Sequence, residues 1–185
     1  MKSLVEAFPT HLKEALAIGQ SATFTNTDKQ FENIVISGLG GSGIGGKIVS
    51  QLVADDCCLP ILCTNDYVLP AFVGPKTLVI ISSYSGETEE TVAAYNEAKA
   101  KGATISCITS GGRIAAAAAV DGYNCIIIPG GQPPRSMFGY SSVQVLFTLK
   151  AYGIYNGNFE AEISNSIDLI HAEIANIRTE TKAIA

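Results

Sequence analysis

The sequence predicts an α/β protein with a doubly wound, five-stranded parallel sheet carrying helices on both faces. Two observations lead there. Short apolar runs recur along the chain, each closed by Gly, Ser, Thr or Asn, and helix-like segments separate them. The runs are continuous rather than alternating, as expected of strands buried on both faces, and regular alternation with helices implies parallel crossovers.

The runs are "NIVISGL" (33–39), "LPILCT" (59–64), "TLVIIS" (77–82), "TISCIT" (104–109) and "CIIIP" (125–129). Helices are expected between and after them at about 44–54, 87–101, 113–120 and 139–153. The third rests on the alanine-rich stretch "RIAAAAAVDG". A further helix over about 2–21 presents Leu4, Phe8, Leu12 and Leu16 on one stripe, with Pro9 either bending it or marking its start. After the last strand, Phe159, Ile163, Ile167, Ile170, Ile174 and Ile177 recur every three or four residues. That pattern predicts a long helix over 158–182 with a regular apolar seam, suited to its own domain or to a second domain or subunit.

Composition narrows the function. The 185 residues are one domain's worth of chain, and 47% hydrophobic against 16% charged marks a core-rich globular protein. A net charge of −5 without any run of Lys or Arg argues against a nucleic-acid partner. The charged start "MKSLVEAFPTHLKEAL" does not resemble a signal peptide, and no segment offers the roughly 20 apolar residues of a membrane span. Cys57, Cys58, Cys63, Cys107 and Cys125 are odd in number and lack C-x-x-C spacing, so they read as reduced, mostly core residues of a cytoplasmic protein. His11 and His171 are too few and too distant for a zinc site, and no metal is expected.

The glycine-rich loop "SGLGGSGIGGKI" (37–48) fits two nucleotide templates incompletely. Gly38, Gly40 and Gly43 match G-x-G-x-x-G, with Asp66 near the end of the second strand, yet this reading leaves the hydroxyls of "SSYSGETEET" (82–91) unexplained. Gly41, Gly46 and Lys47 match a P-loop until Ile48, which stands where a magnesium-binding hydroxyl belongs. What remains is a backbone able to approach a ligand closely at Gly40, Gly41, Gly43 and Gly86, and hydroxyls at Ser42, Ser83, Ser85 and Thr88. Ligands of doubly wound sheets gather beyond the carboxyl ends of the strands, where a helix N-terminus offers unpaired N–H groups to an anion. The four hydroxyls are therefore expected to converge there on a phosphate.

In combination, "GLGGSGIGGK", "SSYSGETEET", "TSGG" (109–112) and "PGGQPPRSMFGY" (129–140) resemble the SIS (sugar isomerase) domain, closest to the bifunctional phosphoglucose/phosphomannose isomerases, over about residues 30–155. The resemblance implies a flavodoxin-like three-layer sandwich and a hexose 6-phosphate substrate, with no cofactor and a homodimeric assembly. It implies phosphate binding by Ser42, Ser83, Ser85 and Thr88, and enediolate stabilisation by Arg135 during aldose–ketose isomerisation. In that family the glutamate, histidine and lysine of proton transfer and ring opening lie in a second SIS domain, and nothing after residue 155 matches them. The expectation is thus one SIS domain over 1–185, the amino-terminal half of such an isomerase. The alternative is a non-catalytic module that senses a sugar phosphate. Glu87 stands where the family's closest members carry Asn.

Overall fold

A computed structural model describes residues 2–184. Five strands, β1 (Asn33–Gly38), β2 (Ile61–Thr64), β3 (Thr77–Ser83), β4 (Thr104–Thr109) and β5 (Asn124–Ile127), form one sheet in the order β2-β1-β3-β4-β5. All four pairings are parallel. The helices are α1 (Lys2–Glu6), α2 (Phe8–Ser21), α3 (Gly41–Leu52), α4 (Glu89–Ala100), α5 (Gly112–Asp121), α6 (Phe138–Ala151) and α7 (Phe159–Ile184). The predicted fold class holds. The order of strands reverses at β1, whose two neighbours are β2 and β3, and this is the switch point where a crevice opens.

Residue alternation along the central strands divides the core in two. Ile34, Ile36, Leu78 and Ile80 face a larger cluster with Leu16, Val49, Val143, Leu149 and Phe159, contributed by α2, α3, α6 and α7. Val35, Val79, Ile81 and Cys107 face a smaller one with Ala94, Tyr95, Ile114 and Ala118 from α4 and α5. Both faces are covered, which is why the runs read as continuously apolar.

Several boundaries differ from the sequence expectation. The first helix is split, with Pro9 in the opening turn of α2, where a missing N–H costs nothing. Helix α3 begins at Gly41, three residues before the predicted 44, so the glycine loop is mostly the first turn of a helix. The seam of α7 is partly filled by the chain itself: Phe159 and Ile167 are buried in the larger cluster and Ile163 packs against it. Further along α7 the face opens, with Ile177 exposed, and Arg178 pairs with Glu6 at 3.2 Å. The cysteines carry no disulfide. Cys107 is buried and Cys58 is exposed, while burial pushes the Cys125 thiol up to about 11, away from thiolate chemistry.

Candidate functional site

A cleft of about 450 Å³ lies beyond the carboxyl ends of β1 and β3. Leu39, Gly40, Gly41 and Ser42 line it from the β1–α3 loop, and Tyr84, Ser85 and Thr88 from the β3–α4 loop. Pro133, Pro134 and Arg135 close the third side, from the segment between β5 and α6. The predicted meeting of the two hydroxyl loops therefore occurs at the switch point.

The hydroxyls are prepared as donors. Ser42 Oγ accepts the Tyr84 N–H at 3.1 Å, and Ser85 Oγ accepts the Glu87 N–H at 3.2 Å. Each oxygen is thus held by a backbone donor while its own proton remains for an acceptor in the cleft. Thr88 occupies the N-cap of α4 but its side chain makes no capping bond, the position where a threonine hydroxyl ordinarily serves the helix. Thr88 lines the cleft, so the start of α4, with its unpaired N–H groups, borders it.

Ser83 departs from the expectation. It is the last residue of β3, sits in register with Thr109, is 1% exposed and does not line the cleft. Its Oγ has no protein partner. The strand continues one residue further than the predicted 77–82, so Ser83 is taken into the sheet, while Ser85 lies past its end. Of the loop glycines, Gly40 and Gly41 line the cleft and Gly43 lines a smaller neighbouring hollow with Lys47 and Thr64. Gly86 adopts φ +67° against the Gly111 carbonyl, where a Cβ would collide. Asp66, the acidic residue of the dinucleotide template, is engaged in a local turn, accepting the Tyr67 N–H at 2.7 Å.

Glu87 points away from the cleft. Its carboxylate accepts the Arg113 N–H at 2.8 Å and Nε–H at 2.7 Å, and its carbonyl accepts an Arg113 terminal N–H at 2.9 Å. These side-chain bonds from Arg113 hold the Glu87 carboxyl below the usual carboxylate range. Glu87 therefore ties the β3–α4 loop to the start of α5.

Arg135 lies in a single 3₁₀ turn (Pro134–Ser136) that the sequence did not predict. Its guanidinium makes no ion pair or side-chain hydrogen bond among the described residues, so the charge is open to the cleft. The turn is pressed against α3: a Cβ on Gly41 would stand 2.6 Å from the Pro134 carbonyl oxygen. Sequence reasoning missed Tyr84, which lines the cleft and accepts the Gln132 N–H on its hydroxyl at 3.0 Å. The only signal was its place between two motif serines.

No carboxylate or imidazole lines the cleft among the described residues. Nor do the described residues hold a cluster of three or more His, Cys, Asp or Glu able to bind a metal. None of the described helices is long and apolar enough to cross a membrane.

A parallel sheet with hydroxyls, a helix N-terminus and an arginine around its switch point is an arrangement suited to holding an anion. Residues 69–152 match the SIS domain family, and the chain carries a SIS domain. It is 45% identical over 146 residues to the bifunctional phosphoglucose/phosphomannose isomerase of Caldicellulosiruptor bescii, covering 79% of this chain and 43% of that protein. It is also 46% identical over 118 residues to the enzyme of the same name from Thermoplasma acidophilum, covering 64% and 36%. The chain thus spans under half the length of these relatives. Among solved structures, the C-terminal domain of glucosamine-fructose-6-phosphate aminotransferase from Francisella tularensis superposes with a TM-score of 0.70 at 15% identity. That match covers 98% of this chain and 57% of the other and shows a shared fold.

Proposed function

We propose that the cleft binds a hexose 6-phosphate and that the chain is one SIS half of a phosphoglucose/phosphomannose isomerase. The carrying observation is that Ser42, Ser85 and Thr88 line a single cleft together with Arg135, which is unpaired among the described residues. The hydroxyls and the α4 N-terminus receive the phosphate, and Ser83, unpartnered behind them, supplies a further donor if the loop shifts on binding. Arg135 then faces the other end of the sugar. Its charge is permanent, so it can stabilise the oxygen of an enediolate as negative charge develops there, while a separate base moves the proton between C1 and C2.

That base is not among the described residues lining the cleft. A second SIS domain would supply it, in a two-domain protein acting as a homodimer in the cytoplasm. Glucose 6-phosphate, mannose 6-phosphate and fructose 6-phosphate are the proposed substrates. The missing base is also the one observation that favours a sensing module.

Calorimetry tests the binding reading. Fructose 6-phosphate should bind and free fructose should not, and Ser85→Ala should weaken the sugar phosphate by about 1.5–3 kcal/mol, the worth of a hydrogen bond to a charged group. Equal affinity for both ligands would refute the phosphate role. A turnover assay separates the classes: the 185-residue chain should interconvert glucose and fructose 6-phosphates at close to background, since general acid–base groups contribute about 10²–10⁴-fold. Turnover restored by a second domain carrying the base would establish the isomerase and exclude the sensor.

A further inference from the structure

We propose that Tyr84 is a positioning residue that fixes Arg135 relative to the phosphate loop. The inference rests on the reading of the cleft as a hexose phosphate site, and it concerns how the two ends of that site are held together.

Tyr84 joins all three walls of the cleft. Its N–H donates to Ser42 Oγ at 3.1 Å in the first wall. Its carbonyl accepts both the Ser110 N–H at 2.9 Å and the Ser110 hydroxyl at 2.7 Å, which fixes the residue against the end of β4. Its half-buried ring packs on the larger core cluster, and its hydroxyl receives the Gln132 N–H at 3.0 Å. The main chain of Tyr84 thus belongs to the phosphate loop, and its phenol reaches the arginine segment.

The arginine segment is anchored unequally. On its carboxyl side, Met137 is 3% exposed, and its N–H and that of Ser136 close the turn onto Pro134 and Pro133. On its amino side, Gly130, Gly131 and Gln132 run along the surface, with Gly131 at φ +83°. Among the described residues, the bond from Gln132 to Tyr84 is the one hydrogen bond that residues 129–132 make to the rest of the protein. Among the described residues, Arg135 has no ion-pair partner of its own. Its position therefore follows from the turn, which packs on α3 at Gly41 and is held by a hydrogen bond on its amino side through Tyr84.

Deleting the phenol oxygen should act on the ligand only through Arg135. The test is a binding cycle on the full chain with wild type, Tyr84→Phe, Arg135→Ala and the double variant, titrated with fructose 6-phosphate and with inorganic phosphate. Tyr84→Phe should weaken fructose 6-phosphate by about 3- to 10-fold and leave inorganic phosphate within twofold, as the loss of one hydrogen bond implies. The double variant should match Arg135→Ala within twofold, because two groups acting as one unit are not additive. Amide exchange at Gln132 should quicken in Tyr84→Phe at an unchanged unfolding midpoint, which shows the latch released in a folded protein. Losses that multiply in the double variant, or an equal loss for inorganic phosphate, would overturn the positioning role while leaving the site standing. A wild-type chain that binds neither ligand would overturn the site, and this role with it.

Discussion

The two ends of the sheet use the same kinds of polar residue for opposite ends. At the amino end, several polar groups have protein partners nearby, although the Ser106 hydroxyl beside Asn124 has none. Asn124 accepts the Thr25 N–H at 3.0 Å and donates to the Thr25 carbonyl at 2.9 Å and the Tyr152 hydroxyl at 2.8 Å. The Thr77 hydroxyl donates to Asn33 at 2.8 Å, and Lys29 donates to Thr104 at 3.2 Å. At the carboxyl end the arrangement is left open. Ser37, Ser82 and Ser83 are buried near the ends of β1 and β3 without partners, Thr88 declines to cap its helix, and Arg135 is unpaired. Unsatisfied buried donors are costly, and three of the six such side-chain groups among the described residues gather here, as the proposed ligand site would require. The amino end serves the fold and the carboxyl end serves the proposed ligand.

That contrast can be broken most severely at Gly86, where backbone and site coincide. Gly86→Ala places a side chain in a left-handed conformation and against the Gly111 carbonyl. A loss of about 1–3 kcal/mol is expected from the backbone alone, with more from the collision and with hexose phosphate binding abolished. Chemical denaturation and calorimetry on the same variant check both. An unchanged denaturation midpoint would mean that the loop relaxes around the side chain.

Substitutions at the two ends should then separate. Asn124→Leu removes the amino-end network and should cost about 1–3 kcal/mol of stability, while fructose 6-phosphate affinity stays as in the wild type. Thr88→Val should do the reverse, leaving the unfolding midpoint within error and weakening fructose 6-phosphate by about 1.5–3 kcal/mol. If Asn124→Leu weakened the ligand as much as Thr88→Val does, the two ends would not be independent and the contrast would fail.

The smallest effect is expected at the exposed Glu87–Arg113 pair, which is screened by solvent. The folded Glu87 carboxyl is depressed by its bonds from Arg113, so the pair contributes above the ordinary carboxylate value and is lost as pH falls through the lower folded one. Glu87→Gln should therefore weaken hexose phosphate slightly near neutrality, and by less than Thr88→Val. The difference from wild type should vanish in acid. A difference that persists at low pH would place the role of Glu87 in shape rather than charge.

Much of the site was legible along the chain, residue by residue. Ser42, Ser85 and Thr88 sit in loops whose hydroxyl and glycine spacing already implied a backbone turned toward an anion, and the structure puts all three on one cleft. Ser83 shows the limit of that reasoning. A serine two positions from a loop serine belongs to the sheet or to the loop according to where the last ladder bond forms, and β3 extends far enough to bury it. The end of α7 shows the same limit, since a regular apolar seam does not say how much of it the chain's own core will occupy.

The sequence by itself determined the sheet, because strands buried on both faces must be apolar at every position, and the alternation with helices leaves only parallel crossovers. It also determined which loops carry hydroxyls and glycines, since those are local demands of turns and helix starts. The tertiary structure alone decided that residues 130–135, about 50 positions after Tyr84, return across the end of β3 so that Gln132 meets the Tyr84 phenol and Arg135 lines the same cleft as the hydroxyls. No local preference encodes that meeting. It follows from the strand order, which sets β3 between β1 and β4 and brings the segment after β5 back over them.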